Sequence, residues 1–240
     1  MPPKPEQFTY VIGDVHGRID LLNSLLDIIE TDKTTNAGTS AEIVFVGDLA
    51  DRGDASRAVL ETVFEMTRSD TNVHCIMGNH ERMLLDFLDK PETNASRWLR
   101  NGAIPTLASF GLKEVSQNPD VAQLLNIRNE FQDAIPEGLE DWLRALPLFW
   151  QSGTLVVVHG AADPNKTIAE QSEDTLLWGN AAFNRTSRKD GIWVAHGHTV
   201  VDPPFNENSR ISVDTGAYFS GKLTAAAVSQ HGDVRFLSTR

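Results

Sequence analysis

Apolar and polar positions follow two periods along this chain, and the places where one gives way to the other mark its elements. The stretch "FTYVIGD" carries the β-branched and aromatic side chains of a short buried strand and ends on Asp14. In the following "RIDLLNSLLDIIE", Ile19, Leu22, Leu25, Leu26 and Ile29 share one face at helical spacing, which predicts a helix. The polar run "TDKTTNAGTSA", residues 31–41, closes the unit as a loop. The form then recurs. "EIVFVGD" predicts a strand ending on Asp48 with "SRAVLETVFEMT" as its helix, and "VHCIMGN" runs into the helical "ERMLLDFLD". Successive strand, loop and helix units predict an α/β core with parallel strands, whose ligands bind beyond the carboxyl ends of those strands.

From Pro91 to about Trp150 the pattern turns helical, most clearly in "ASRWLRNGAIPTLASF" and "EGLEDWLRALP", with Trp98 and Trp142 as packing anchors. Residues 91–150 therefore read as an inserted helical cap. Strands return as "TLVVVHG", "IWVAHGHT", "RISVDTG", "LTAAAVS" and "VRFLST", the last three with short connections that suit antiparallel pairing. The proline-rich residues 1–7 are expected to form a loose tail on a single domain spanning 1–240.

Composition narrows the function classes. A net charge of −12 repels a phosphate backbone, so a nucleic-acid polymer is a poor partner and any phosphate affinity must be local. The lone cysteine, Cys75, sits in an apolar run, which fits a packed thiol in a reducing compartment. The start "MPPKPEQ" has no apolar export segment and no run approaches the length of a membrane span, so a cytoplasmic protein without a membrane partner is expected.

Chemistry collects where the apolar runs stop. Asp14 and His16 lie in "GDVHG", Asp48, Asp51 and Arg52 in "GDLADRG", Asn79 and His80 in "GNHE", His159 in "VVVHG" and His198 in "GHT". Any one of these alone could be an ordinary glycine and aspartate turn after a strand. Together they offer oxygen and imidazole donors without thiolate, which suit divalent ions of intermediate hardness such as manganese, iron or zinc. They also outnumber the ligands of a single tetrahedral zinc, so two ions fit better than one.

From about Val11 to Ala226 the chain resembles the calcineurin-like metallophosphoesterases, specifically the phosphoprotein-phosphatase branch with its GDxHG, GDxxDRG and GNHE signatures. The downstream "HGAADP", "LLWGN", "GHT" and "DTGAYFSGKLTA" look like the bacterial members, which include serine/threonine and tyrosine phosphatases and symmetrical dinucleoside polyphosphatases. The resemblance implies a four-layer α+β sandwich, two central mixed β-sheets flanked by helices, with the cap inserted. It also implies that Asp14 and His16 bind a first divalent metal ion, that Asn79, His159 and His198 bind a second, and that Asp48 bridges both, with manganese the first choice. A hydroxide between the metals would attack phosphorus directly, without a phosphoenzyme. Arg52 would clamp the phosphoryl oxygens and His80 would protonate the leaving oxygen, oriented by Asp51.

The chain also departs from the pattern. Many relatives carry arginine where Met77 precedes "GNHE", and many bacterial ones carry it at Asn180; a thioether and a neutral amide cannot replace that charge. Either Arg185 or Arg188 restores it, or the pocket takes a substrate with a different charge distribution. Arg52, Asn180, Arg185 and Tyr218 are the candidate substrate contacts; for Tyr218 and for Asp214 in "SVDTGAY", bordering the pocket and packing are equal alternatives. His196 shares a strand face with His198, but the resemblance selects the latter, leaving His196 a supporting role. His74 and His231 are expected to be ordinary surface or packing residues. The first expected function is a phosphomonoesterase of the phosphoserine/phosphothreonine protein phosphatase type. The alternatives are hydrolysis of a dinucleoside polyphosphate and, from another class, a phosphate-binding scaffold without turnover. The partner is accordingly a phosphorylated protein or a small phosphoester or nucleotide, with the oligomeric state open.

Overall fold

The computed structural model describes residues 2–37, 40–112, 114–116 and 119–239. Strands β1 (Phe8–Ile12), β2 (Ala41–Phe45) and β3 (Val73–Cys75) run parallel, with Ile12 opposite Phe45 and Phe45 opposite Cys75. Helices α1 (Ile19–Asp32), α2 (Ser56–Ser69) and α3 (Asn79–Asp89) follow them in turn, as the repeated pattern predicts. The cap is α4 (Pro91–Arg100), α5 (Ala103–Ser109), α6 (Val121–Ala134) and α7 (Leu139–Ala145). Next come β4 (Phe149–Ser152), β5 (Leu155–Val158), α8 (Glu173–Trp178), β6 (Trp193–His196), β7 (Phe205–Glu207) and β8 (Arg210–Ser212). The chain closes with α9 (Ala217–Ser220), β9 (Thr224–Val228) and β10 (Val234–Ser238). One five-stranded sheet has the order β10-β9-β1-β2-β3 and the other β4-β5-β6-β8-β7.

Side-chain alternation in the buried strands explains why the two sheets stack. Val11 and Val44 point inward and meet Leu155, Val157, Ala195 and Ile211 of the other sheet. Their neighbours Tyr10, Ile12, Ile43 and Phe45 point the opposite way, into the core shared with α1, α2 and the cap. Val156 and Val158 turn outward against Ile168 and Leu176. Residues that differ by one position thus serve different cores, and the result is two mixed sheets flanked by helices.

Several expectations are corrected. The segment "ASRWLRNGAIPTLASF" is two helices, because Gly102 at φ +104° turns the chain between α4 and α5. The strand in "RISVDTG" does not join the final hairpin: β8 pairs parallel with β6 and antiparallel with β7. β7, "FNE", has too few apolar positions to show a period. β9 and β10 do pair antiparallel. Residues 31–37 are helical rather than loop, Gly38 and Thr39 lying outside the described residues. The tail expected to be loose, whose Met1 is also outside them, is pinned to the β4–β5 turn. Pro3 and Pro5 are buried, Lys4 N–H donates to Thr154 Oγ1 at 2.8 Å, and Glu6 N–H donates to Ser152 Oγ at 2.9 Å. Prolines preset an extended backbone, so docking this stretch sacrifices little conformational freedom. Cys75 is buried, as expected of a packed thiol. Among the described residues no helix is long and apolar enough to cross a membrane.

Candidate dinuclear metal site

Parallel pairing of β1 with β2, β2 with β3 and β5 with β6 sends the loops bearing Asp14, Asp48, Asn79, His159 and His198 toward one rim. The backbone there is strained. His16 (φ +46°), Asp48 (+51°), Asp51 (+72°), Arg52 (+70°) and His198 (+62°) all occupy the left-handed region that side chains disfavour. Such conformations persist where surrounding contacts fix them. Gly47 (φ +90°) lets its loop lie directly on the backbone of Gly78, and at Gly197 any side chain would overlap the Asp14 carboxylate.

Asp48 is the centre of the cluster. Its Oδ2 lies 3.5 Å from His16 Nε2 and its Oδ1 lies 3.3 Å from His159 Nε2. Asn79 Oδ1 lies 2.7 Å from His159 Nε2 and 2.9 Å from His198 Nδ1. Asp14 accepts the backbone N–H of His198 at 3.0 Å. Among the described residues two groups could hold a metal ion, His16 with Asp48 and His80, and Asp48 with His159 and His198. Asp48 belongs to both.

The protonation pattern tests whether cations fit. Burial pushes His16 down to about 3 and His159 down to about 4, so both rings are neutral near pH 7. Each uses its Nδ1–H on a main-chain carbonyl, His16 on Ala50 at 2.8 Å and His159 on Val46 at 2.9 Å. Their Nε2 atoms therefore present lone pairs to oxygens that are themselves acceptors. A cation between them turns that repulsion into ligation, and a backbone-anchored imidazole is the usual support of a metal-binding histidine. Carboxylates point the same way: burial, then Asp214 and Asp48, raise Asp14 well above its usual range, and burial pushes Asp214 up to about 6. Buried carboxylates this close call for positive charge.

His80 is held differently from the other histidines. Its Nδ1 is 2.7 Å from Asp51 Oδ2, so that ring N–H donates to the carboxylate and Nε2 is left on the side of the metal-ligand cluster, 3.8 Å from Asp48 Oδ2 and 3.4 Å from the Arg52 guanidinium. Burial opposes the imidazolium, but Asp48 and Asp51 outweigh it and hold His80 above its ordinary pKa. Asp51 is fully buried and saturated: Trp98 Nε1–H donates to Oδ2 at 2.9 Å and Thr106 Oγ1–H to Oδ1 at 2.7 Å. Arg52 N–H donates to the Gly102 carbonyl at 3.0 Å, so cap residues fix the whole Asp51–Arg52 turn.

Glu81 fastens the loops beneath. Its carboxylate accepts N–H groups from Asp48 and Leu49 at 2.8 Å, Gly78 at 3.1 Å and Ala50 at 3.2 Å. Burial, reinforced by Asp48, nonetheless pushes it up to about 7. Glu81→Gln puts an amide N–H against backbone donors, and should lower unfolding free energy by about 2–3 kcal/mol, read by denaturant titration. A loss under about 0.5 kcal/mol would show that these bonds are not structural glue.

The remaining sequence candidates separate clearly. Tyr218 reaches the site, its ring 4.6 Å beneath the Arg52 guanidinium and edge-on to His16 at 5.4 Å. Asp214 is buried and spends Oδ1 on the Gly216 N–H. Met77 is buried in the helix-side core. Asn180 turns its Oδ1 onto the Ala182 N–H. Arg188 cannot swing in: it is buried, paired with Asp190 and bonded to the carbonyls of Asp163 and Lys166. Arg185 is exposed and, among the described residues, contacts none of the candidate ligands. His196 is buried, bonded to the Gly197 carbonyl and edge-on to Phe183, which suits a packing role. His74 pairs with Glu42 and His231 is exposed. Sequence reasoning missed Glu81, Thr106 and the hydrogen bond of Trp98; only Glu81, inside "GNHE", carried a signal.

Residues 9–216 match the calcineurin-like phosphoesterase family. The chain is a calcineurin-like phosphoesterase. This phosphoesterase is 29% identical over 235 residues to the bis(5'-nucleosyl)-tetraphosphatase PrpE [asymmetrical] of Oceanobacillus iheyensis, covering 90% of this chain and 86% of the relative. Its identity to the PrpE of Bacillus subtilis is 26%, covering 89% and 88%. Among solved structures it superposes on a putative diadenosine tetraphosphatase with a TM-score of 0.67 at 18% identity, covering 100% and 99% of the two chains. The cold-active protein-tyrosine phosphatase of a psychrophilic Shewanella species gives 0.63 at 18% identity, covering 99% and 82%. These two likenesses speak for the shared fold of the phosphoesterase.

Proposed function

We propose that this phosphoesterase hydrolyses a phosphoanhydride bond of a dinucleoside polyphosphate. The observation that carries the reading is near full-length similarity to tetraphosphatases, which puts the dinucleotide ahead of the phosphomonoester that the motifs alone place first. The rim supports it. Phe219 is 63% exposed and packs edge-on to Tyr218 at 4.9 Å, offering an aromatic face to a nucleobase beside the Arg52 clamp.

Asp14, His16 and Asp48 would hold one divalent ion, and Asp48, Asn79, His159 and His198 the other, with manganese the first choice for these donors. When bound, such ions supply Lewis-acid charge and lower the pKa of a water. The chain does the rest. Arg52, steadied on Tyr218, takes oxygens of the reacting phosphoryl group. His80, held by Asp51, gives its Nε2 proton to the departing phosphate oxygen. When His80 carries its Nε2 proton, it and Arg52 aim donors at the same space, 3.4 Å apart, and a phosphate oxygen there would satisfy both.

Incubation with manganese and either diadenosine tetraphosphate or phosphoserine, phosphothreonine and phosphotyrosine peptides tests the reading. The dinucleotide should be favoured at least about a hundredfold in kcat/KM, or ~2.7 kcal/mol, and a chelator should abolish turnover. A peptide preferred over the dinucleotide would restore the protein phosphatase reading. Phosphate binding without any metal-dependent product would leave a scaffold.

A further inference from the structure

A polyphosphate needs more cations than the motif loops supply here. Met77 is buried in the core, Arg188 is paired with Asp190, and among the described residues Arg52 is the arginine of the motifs that lies beside His80. On the opposite flank, beside His198, the structure places a cation that no motif signals. Arg97, exposed in the last turn of α4, lays its guanidinium 3.9 Å from the centre of the Trp178 ring. Trp178, at the end of α8, meets the His198 ring edge to face at 6.1 Å. Asp86 feels the charge of Arg97, yet among the described residues no carboxylate lies within ion-pair distance of it and no hydrogen bond occupies its guanidinium. Stacking on an indole fixes the guanidinium plane while leaving its N–H edges free to donate.

We infer that Arg97, held on Trp178, is the clamp for the phosphates that lie beyond the one that reacts, doing from the cap what arginines at positions 77 and 180 would do from the loops. The inference rests on the polyphosphate reading and specifies which side of the centre the chain of phosphates takes. The two flanks have the same construction: Arg52 over Tyr218 beside His16, and Arg97 over Trp178 beside His198. A monoester needs only the first, whereas a polyphosphate can engage both.

Inhibition of para-nitrophenyl phosphate hydrolysis by inorganic tripolyphosphate and by orthophosphate, at saturating manganese, tests the clamp without relying on the dinucleotide. Tripolyphosphate should bind the unchanged protein more tightly than orthophosphate. Arg97→Ala should weaken tripolyphosphate about tenfold or more, leave orthophosphate and the kcat for para-nitrophenyl phosphate within about twofold, and Arg97→Lys should recover part of the loss. Equal weakening of both anions, no weakening of either, or tripolyphosphate no tighter than orthophosphate at the outset overturns the clamp. With diadenosine tetraphosphate the same variant should raise KM and spare kcat. If the unchanged protein does not cleave that dinucleotide but Arg97→Ala still selectively loses tripolyphosphate, the substrate reading falls and the clamp stands. If cleavage is normal in both proteins, the clamp falls and the substrate reading stands.

Discussion

His80→Asn should lower kcat by about 10²- to 10⁴-fold while the protein keeps its full complement of bound metal. The backbone N–H of His80, which donates to Asp48 Oδ1 at 3.0 Å, survives the substitution, so the loop geometry and the proposed ligand set are retained. What would disappear is the proposed proton donor, the ring that Asp51 orients. The size of the loss should depend on the leaving group. An alkoxide leaving from phosphoserine needs a proton in the transition state, whereas a polyphosphate leaves as a stable anion and needs it less. The variant should thus fall near the large end of that range on phosphoserine peptide and near the small end on diadenosine tetraphosphate. Turnover numbers on both substrates, with metal content from elemental analysis, check this; kcat within threefold of the unchanged protein on both would remove His80 from its proposed role.

Asp48→Asn should be more damaging. Asp48 is the one residue common to both candidate metal groups, and its two oxygens face His16 on one side and His159 on the other. An amide oxygen can still accept the His80 N–H, but it has neither the charge nor the second oxygen needed to serve two cations. Bound metal should drop from two ions to one or none per chain. Activity should fall by at least about 10³-fold, as when one member of an interdependent catalytic set is removed. A variant that retains both ions and near-normal turnover would show that Asp48 is not the shared ligand.

The fold and the centre of the site were legible because both depend on local signals. Strand and helix periods placed β1, β2 and β3, and the loops after the strands carried Asp14, His16, Asp48, Asn79, His159 and His198, which the structure brings together. Contacts between distant segments were not legible. Trp98 has the look of a core side chain, and it is fully buried; that its indole N–H ends on a carboxylate 47 positions away leaves no mark in a hydrophobic pattern. Thr106 is still harder to see, since a single hydroxyl on a short helix is compatible with many roles. Arg188, one candidate for the replacement cation, shows the converse: an arginine near a motif looks available until the structure shows Asp190 and two carbonyls already holding it. Proximity in sequence measures opportunity, and competition among partners decides the outcome.

On the proposed mechanism, the grip of the cap on the Asp51–Arg52 turn would limit how such a protein can change substrates. Trp98, Thr106 and the Gly102 carbonyl all come from the inserted helices, and all three hold the residues that tune and accompany His80. An insertion that merely screened ligands could be exchanged as a module. On the proposed mechanism this one is not so easily exchanged, because a chimera bearing another relative's helices would also change the contacts that hold Asp51 beside His80. If His80 is the proton donor, exchanging these helices would alter proton transfer together with whatever selectivity they carry.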